Sequence, residues 1–196
     1  MSCFDTGSRV MVGGLSRQRL LAALDSAEVR LNDHARVLIA GPAFDRRDPE
    51  PIRVITRSLS TLGLPSGGTL RQIFSTAESR GLHPCPPDSG PYLRLAWLSQ
   101  PQSHDSVQST GRAPAGAVTI ASEPIDETFA TPKGFYLRLV DGQAWLRAYR
   151  CDEAFEFSAD DVFAFRADSY RCPAAFESVR TRSVRLPFSP GGPAAP

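Results

Sequence analysis

Lysine is almost missing from this chain: Lys133 is its one lysine among 22 basic residues, the rest being arginine. With the heavy use of Ala, Pro and Gly, that skew looks like the coding bias of a GC-rich bacterial genome. It also has physical content, because guanidinium groups are planar, weakly hydrated and able to stack on aromatic rings. Histidine is scarce. The four cysteines, Cys3, Cys85, Cys151 and Cys172, are scattered, with no secretory leader pattern ahead of them. Reduced thiols in a cytoplasmic protein are therefore expected. No apolar run approaches the roughly 20 residues of a membrane helix, since even the segment around Phe135 to Val140 is broken by Arg138 and Asp141. No membrane partner is expected. The formal net charge of +1 supplies no global field to draw the molecule onto nucleic acid.

Most enzyme signatures are missing as well. There is no Gly-rich phosphate loop ending in Gly-Lys, no G-x-G-x-x-G after a strand, no H-E-x-x-H and no G-x-S-x-G. A zinc site needs four ligands, and Cys151, Cys172, His34 and His104 show no paired spacing. No metal and no cofactor are expected.

What is present reads as a single α+β domain. Residues 1–14 form a lead-in without sustained period, 15–170 the globular domain, and 171–196 a flexible, Arg-containing tail rich in Pro and Gly. Ser16 caps a short helix carrying Leu20, Leu21 and Leu24, and Asn32 caps a second one that must end near Gly41 and Pro42; together they make a small N-terminal helical hairpin. Val54 and Ile55 suggest a strand. The best helix signal covers 70–80: Thr69 and Gln72 make a capping box, Ile73, Phe74 and Ala77 an apolar face, and Gly81 the stop.

Beyond Gly81 the apolar period shortens from about 3.6 to 2, the change from helix to sheet. The expected fold is an antiparallel β-meander packed against the capped helix, with Ile73, Phe74 and Ala77 against Leu93, Leu95 and Leu137. Its strands run through Tyr92 to Trp97, Ala117 to Ala121 and Val162 to Arg166. The clearest hairpin joins Phe135–Val140 to Gln143–Tyr149 through Asp141-Gly142, a two-residue type I′ turn. Residues 99–116 are polar and read as a long loop.

The most idiosyncratic stretch is Gly81-Leu82-His83-Pro84-Cys85-Pro86-Pro87-Asp88-Ser89-Gly90-Pro91-Tyr92-Leu93-Arg94-Leu95. It resembles an uncharacterised family of bacterial proteins in which a capped helix ends in Gly-Leu, followed by Cys-Pro, a short acidic turn, Gly-Pro and Leu-Arg-Leu. Gln100-Pro101, Ile120-Ala121-Ser122, Pro132 to Leu137, Trp145-Leu146 and the segment from Asp160-Asp161 to Phe165 extend the resemblance over about residues 15–166. Asp88 stands where that pattern carries a longer carboxylate. The family has no established activity, so the resemblance implies a fold and no reaction.

Three functional classes follow. In the first, a non-enzymatic binding or interaction protein, the hairpin register places Tyr136, Arg138, Trp145, Arg147 and Tyr149 on one sheet face, joined by Arg94 if its strand shares the alternation. Arginines interleaved with aromatics can hold an acidic protein or anionic ligand, although the N-terminal helices can equally cover that face. In the second, Cys85, His83 and Asp88 make a small enzyme's thiol site; a buried structural cysteine is the more ordinary reading. In the third, Arg180, Arg182 and Arg185 near the tail contact nucleic acid, where a solvated extension is the commoner outcome.

Overall fold

Period-2 alternation sends side chains to both faces of a sheet, and the computed structural model places helices against each face. It describes residues 7–45, 48–100, 114, 116–126, 128 and 130–168. In chain order these form β1 (Ser8–Val12), α1 (Arg17–Ser26), β2 (Arg30–Leu31), α2 (Asp33–Ala40), a 3-10 turn (Pro42–Phe44), β3 (Glu50–Ser58), α3 (Leu59–Leu62), α4 (Leu70–Glu78), β4 (Leu82–His83), α5 (Ser89–Ala96), β5 (Val118–Ile120), β6 (Gly134–Val140), β7 (Gln143–Tyr149) and β8 (Val162–Ala167). The polar 99–116 stretch falls mostly outside the described residues, and the 171–196 tail entirely so.

The strand order is β1-β3-β8-β5-β6-β7-β2, with β4 added on β8. This mixed sheet replaces the expected antiparallel meander: β5 pairs with β8 in parallel, and β2 with β7 in parallel. Strands distant in sequence are neighbours, and single-strand periodicity carries no information about such pairing. The lead-in is also corrected. Ser8–Val12 is an edge strand paired antiparallel with β3, and its Val10 and Val12 are buried; five residues are too few for their alternation to stand out.

Two apolar clusters lie on opposite faces of the sheet. On one face α1, α2 and α5 supply Leu20, Leu24, Leu38, Ile39 and Leu93 against Val54, Ile120, Phe135, Leu137 and Leu146. On the other, α3 and α4 supply Leu59, Leu62, Ile73 and Ala77 against Ile55, Phe163 and Phe165. The caps expected from sequence are present: Ser16 accepts from the Arg19 N–H, Asn32 from Ala35, and Thr69 and Gln72 close a reciprocal capping box on α4. The expected packing of α4 is not. Ile73 and Ala77 meet Phe163 and Phe165, whereas Leu93 and Leu137 belong to the opposite face, and Phe74 is only half-buried.

The segment from Tyr92 to Trp97 is corrected from strand to helix. Tyr92, Leu93 and Arg94 are all buried in α5, so consecutive apolar residues do not mark one face, and a short buried helix is indistinguishable from a buried strand by period. Gly90-Pro91, which resembles a turn, is the helix's first turn, where proline's missing N–H leaves no bond unmade. Gly90 is there for closeness: a Cβ built on it lies 2.6 Å from Cγ of Phe135.

Candidate functional site

The hairpin β6–β7 is built as its sequence dictates. Asp141 and Gly142 both have positive φ, 50° and 76°, the conformation of a type I′ turn. The register is Val140 with Gln143, Arg138 with Trp145, Leu137 with Leu146 and Tyr136 with Arg147. Phe135, Leu137, Leu146 and Ala148 therefore enter the core beneath α5. The other face carries Tyr136, Arg138, Trp145, Arg147 and Tyr149. The N-terminal helices do not cover it, because α1 and α2 pack on the opposite side of the sheet.

Within this face the arginines differ in setting. Arg147 lies against two rings, its guanidinium carbon 6.0 Å from the centre of Tyr136 and 5.5 Å from that of Trp145, within the range of a cation–π contact. Tyr136, Trp145 and Arg147 are half-buried. Arg138 is 3% exposed, and among the described residues its Nε and Nη2 have no hydrogen-bond acceptor; nor does Nε of Arg147. Ion pairs such as Arg17–Asp45 and Arg71–Glu153 lie elsewhere, and neither Arg138 nor Arg147 is paired with a carboxylate among the described residues. Burial pushes the Tyr136 phenol up, while the Arg147 and Arg138 charges oppose that shift. Tyr149 is drawn away into the α4 side, edge-on to Phe157 at 5.9 Å. Its phenol is raised first by burial and then by the Cys151 thiol.

Arg94 does not join this face. Wholly buried in α5 on the other side of the sheet, it donates to Gln100 Oε1 at 2.9 Å, to the Arg138 carbonyl at 3.4 Å and to the Trp97 carbonyl. Burial lowers its pKa to about 10. Gln100 in turn donates to the carbonyls of Gly116 and Leu137. Arg94 and Gln100 thus tie the end of α5 to β6, a structural role that neither residue's sequence neighbourhood signals.

The thiol site is not assembled. Cys85 is buried in the core, its backbone N–H bonded to Ala121 and its thiol directed at the Ala164 carbonyl at 3.7 Å. Burial pushes that thiol up to about 12, only partly offset by the Arg166 charge, which is the reverse of what a nucleophile needs. His83 turns instead to Asp168, 3.3 Å away. Asp88 is buried at the start of α5 without capping it.

A separate groove of about 550 Å³ lies beside α4, lined by Leu70, Phe74, Pro124, Lys133, Cys151 and Glu153 among others. Several of its polar groups are engaged at home. Lys133 Nζ donates to the carbonyls of Asp126 and Thr128 at 2.9 Å each, the capping box closes the α4 N-terminus, and Arg71 lies 4.0 Å from Glu153. The Arg138 face, with donors left over, is the better candidate. Comparisons with protein families, with curated proteins and with solved structures find no match for this chain.

Proposed function

We propose that this is a binding protein, without catalysis of its own, that takes an acidic protein or anionic ligand on the β6–β7 face. The observation that carries the proposal is Arg138, a guanidinium almost wholly buried with two N–H donors unmatched beside a second arginine stacked on Tyr136 and Trp145. An uncompensated buried charge is a stability cost, and such costs concentrate where a ligand relieves them. Burial keeps water from the Arg138 donors, which strengthens a charge-assisted bond made there.

The test is a titration with polyglutamate, polylysine as control, followed by tryptophan emission at low salt. Polyglutamate alone is expected to move the signal, with affinity falling as salt rises. Arg138→Met removes the charge but keeps most of the side-chain volume. It is expected to abolish the response and to hold or raise the melting temperature, because the unmatched charge is gone. A variant that melts well below the parent, or binds polyglutamate as the parent does, defeats the proposal.

A further inference from the structure

The two unmatched donors of Arg138 are not an arbitrary pair. Nε–H and the Nη2 hydrogen beside it project in parallel from one edge of the guanidinium plane, the fork that receives two oxygens of one anion. That edge is nine-tenths buried and unpaired. Arg138 itself pairs with Trp145 in the hairpin register, two residues along from the cross-strand pair Tyr136 and Arg147. Resting on the anion-binding reading above, we infer that the site is shaped for a single carboxylate, seated on the Arg138 fork with its apolar carrier against Trp145 and Tyr136.

Shape and charge select this group over phosphate. A carboxylate is planar, so both oxygens lie in the plane of the fork and the carbon behind them leads away along it. A tetrahedral phosphate holds two further oxygens out of that plane, where the two coplanar donors of the fork cannot meet them. One carboxylate also balances the single charge of the buried Arg138 guanidinium. Arg147, spread over two rings and half-buried, then supplies field and a wall. The carrier can be an aspartate or glutamate side chain of a partner or a small apolar acid, since both present the same two oxygens.

Nitrogen-15-labelled full-length protein distinguishes these outcomes, because a buried Arg Nε–H exchanges slowly enough to be followed by NMR. The Arg138 resonance, assigned by its loss in Arg138→Lys, is titrated at neutral pH with benzoate, benzamide, inorganic phosphate and a blocked glutamate peptide with its glutamine counterpart. Benzoate is expected to shift it at concentrations about ten-fold or more below those phosphate needs, with benzamide and the glutamine peptide inert. A matching effect of the glutamate peptide assigns the carrier to a polypeptide; benzoate alone assigns it to a small acid. Arg138→Lys, which keeps charge without the fork, is expected to lose the benzoate response followed by Trp145 emission, whereas Arg147→Lys loses only a few-fold. Phosphate binding as well as benzoate, or Arg138→Lys responding like the parent, overturns the carboxylate assignment and leaves anion binding standing. Failure of every anion to move the Arg138 resonance overturns both.

Discussion

Lys133 marks the one place where this arginine-rich chain needs a compact cation. Its ammonium donates to two carbonyls, those of Asp126 and Thr128, while Asp126 accepts from the hydroxyls of Thr128 and Thr131. Those hydroxyl bonds, from Thr131 first, hold the Asp126 carboxyl below its usual range. A planar guanidinium, broader than an ammonium and with its donors fixed in a fork, cannot aim two donors inside so tight a turn. Lys133→Arg is therefore expected to cost about 1 to 3 kcal/mol in urea unfolding, the range for hydrogen bonds to a charged group left unmade; an unchanged midpoint would show that the turn holds without the ammonium. Cys85 gives a prediction of the opposite polarity. Its folded pKa, near 12, exceeds its ordinary value of 9.0, so above pH 9 the unfolded chain loses a proton that the folded chain keeps. Its contribution is full below pH 9 and is lost as pH rises toward 12. Stability measured from pH 8 to 10.5 is expected to fall less steeply in Cys85→Ala than in the parent, whatever the variant's starting stability.

The elements divide by whether their signal is local. The hairpin was legible in full because turn chemistry sets its register, and the N-caps at Ser16, Asn32 and Thr69 were legible because a cap spans three residues. The α5 helix was not, since burial around Tyr92, Leu93 and Arg94 erases the periodicity that distinguishes helix from strand. That error also misplaced Arg94. The residue that identifies α5 in space is Gly90, whose lack of a side chain lets the first turn approach Phe135. Gly90→Ala is expected to destabilise by about 1 to 3 kcal/mol, as overpacking does. Shrinking the neighbour should relieve it: in a double-mutant cycle, Phe135→Leu is expected to recover a good part of that loss. Strict additivity of the two changes would disprove the contact.

For the molecule as a whole, the sequence could not disclose that its apolar residues serve two cores. The alternation of β3, with Val54 on one face and Ile55 on the other, and of β8, with Ala164 on one and Phe163 and Phe165 on the other, feeds both at once. Only the pairing of distant strands shows which helix answers which face. The candidate site was legible as a set, Tyr136, Arg138, Trp145 and Arg147, because a hairpin's faces follow from its turn. What distinguishes Arg138 within the set, burial with an unmatched fork, depends on the surrounding tertiary structure and has no local signature.

Asn32 shows how the sheet ends. Its side chain caps α2 through Ala35 and also bonds both backbone groups of Ala148, donating from Nδ2 to the carbonyl and accepting at Oδ1 from the N–H, each at 3.0 Å. An amide side chain thus stands in for one residue of a further strand, continuing the two-residue parallel pairing of β2 with β7. An open strand edge is a template on which another chain can add itself and grow a fibre. At Ala148 that template is already read by the protein's own asparagine. The same bonds tie α2 to the hairpin, so a slip of β7 by one residue, which would exchange the arginine face for the core face, also breaks both of those bonds.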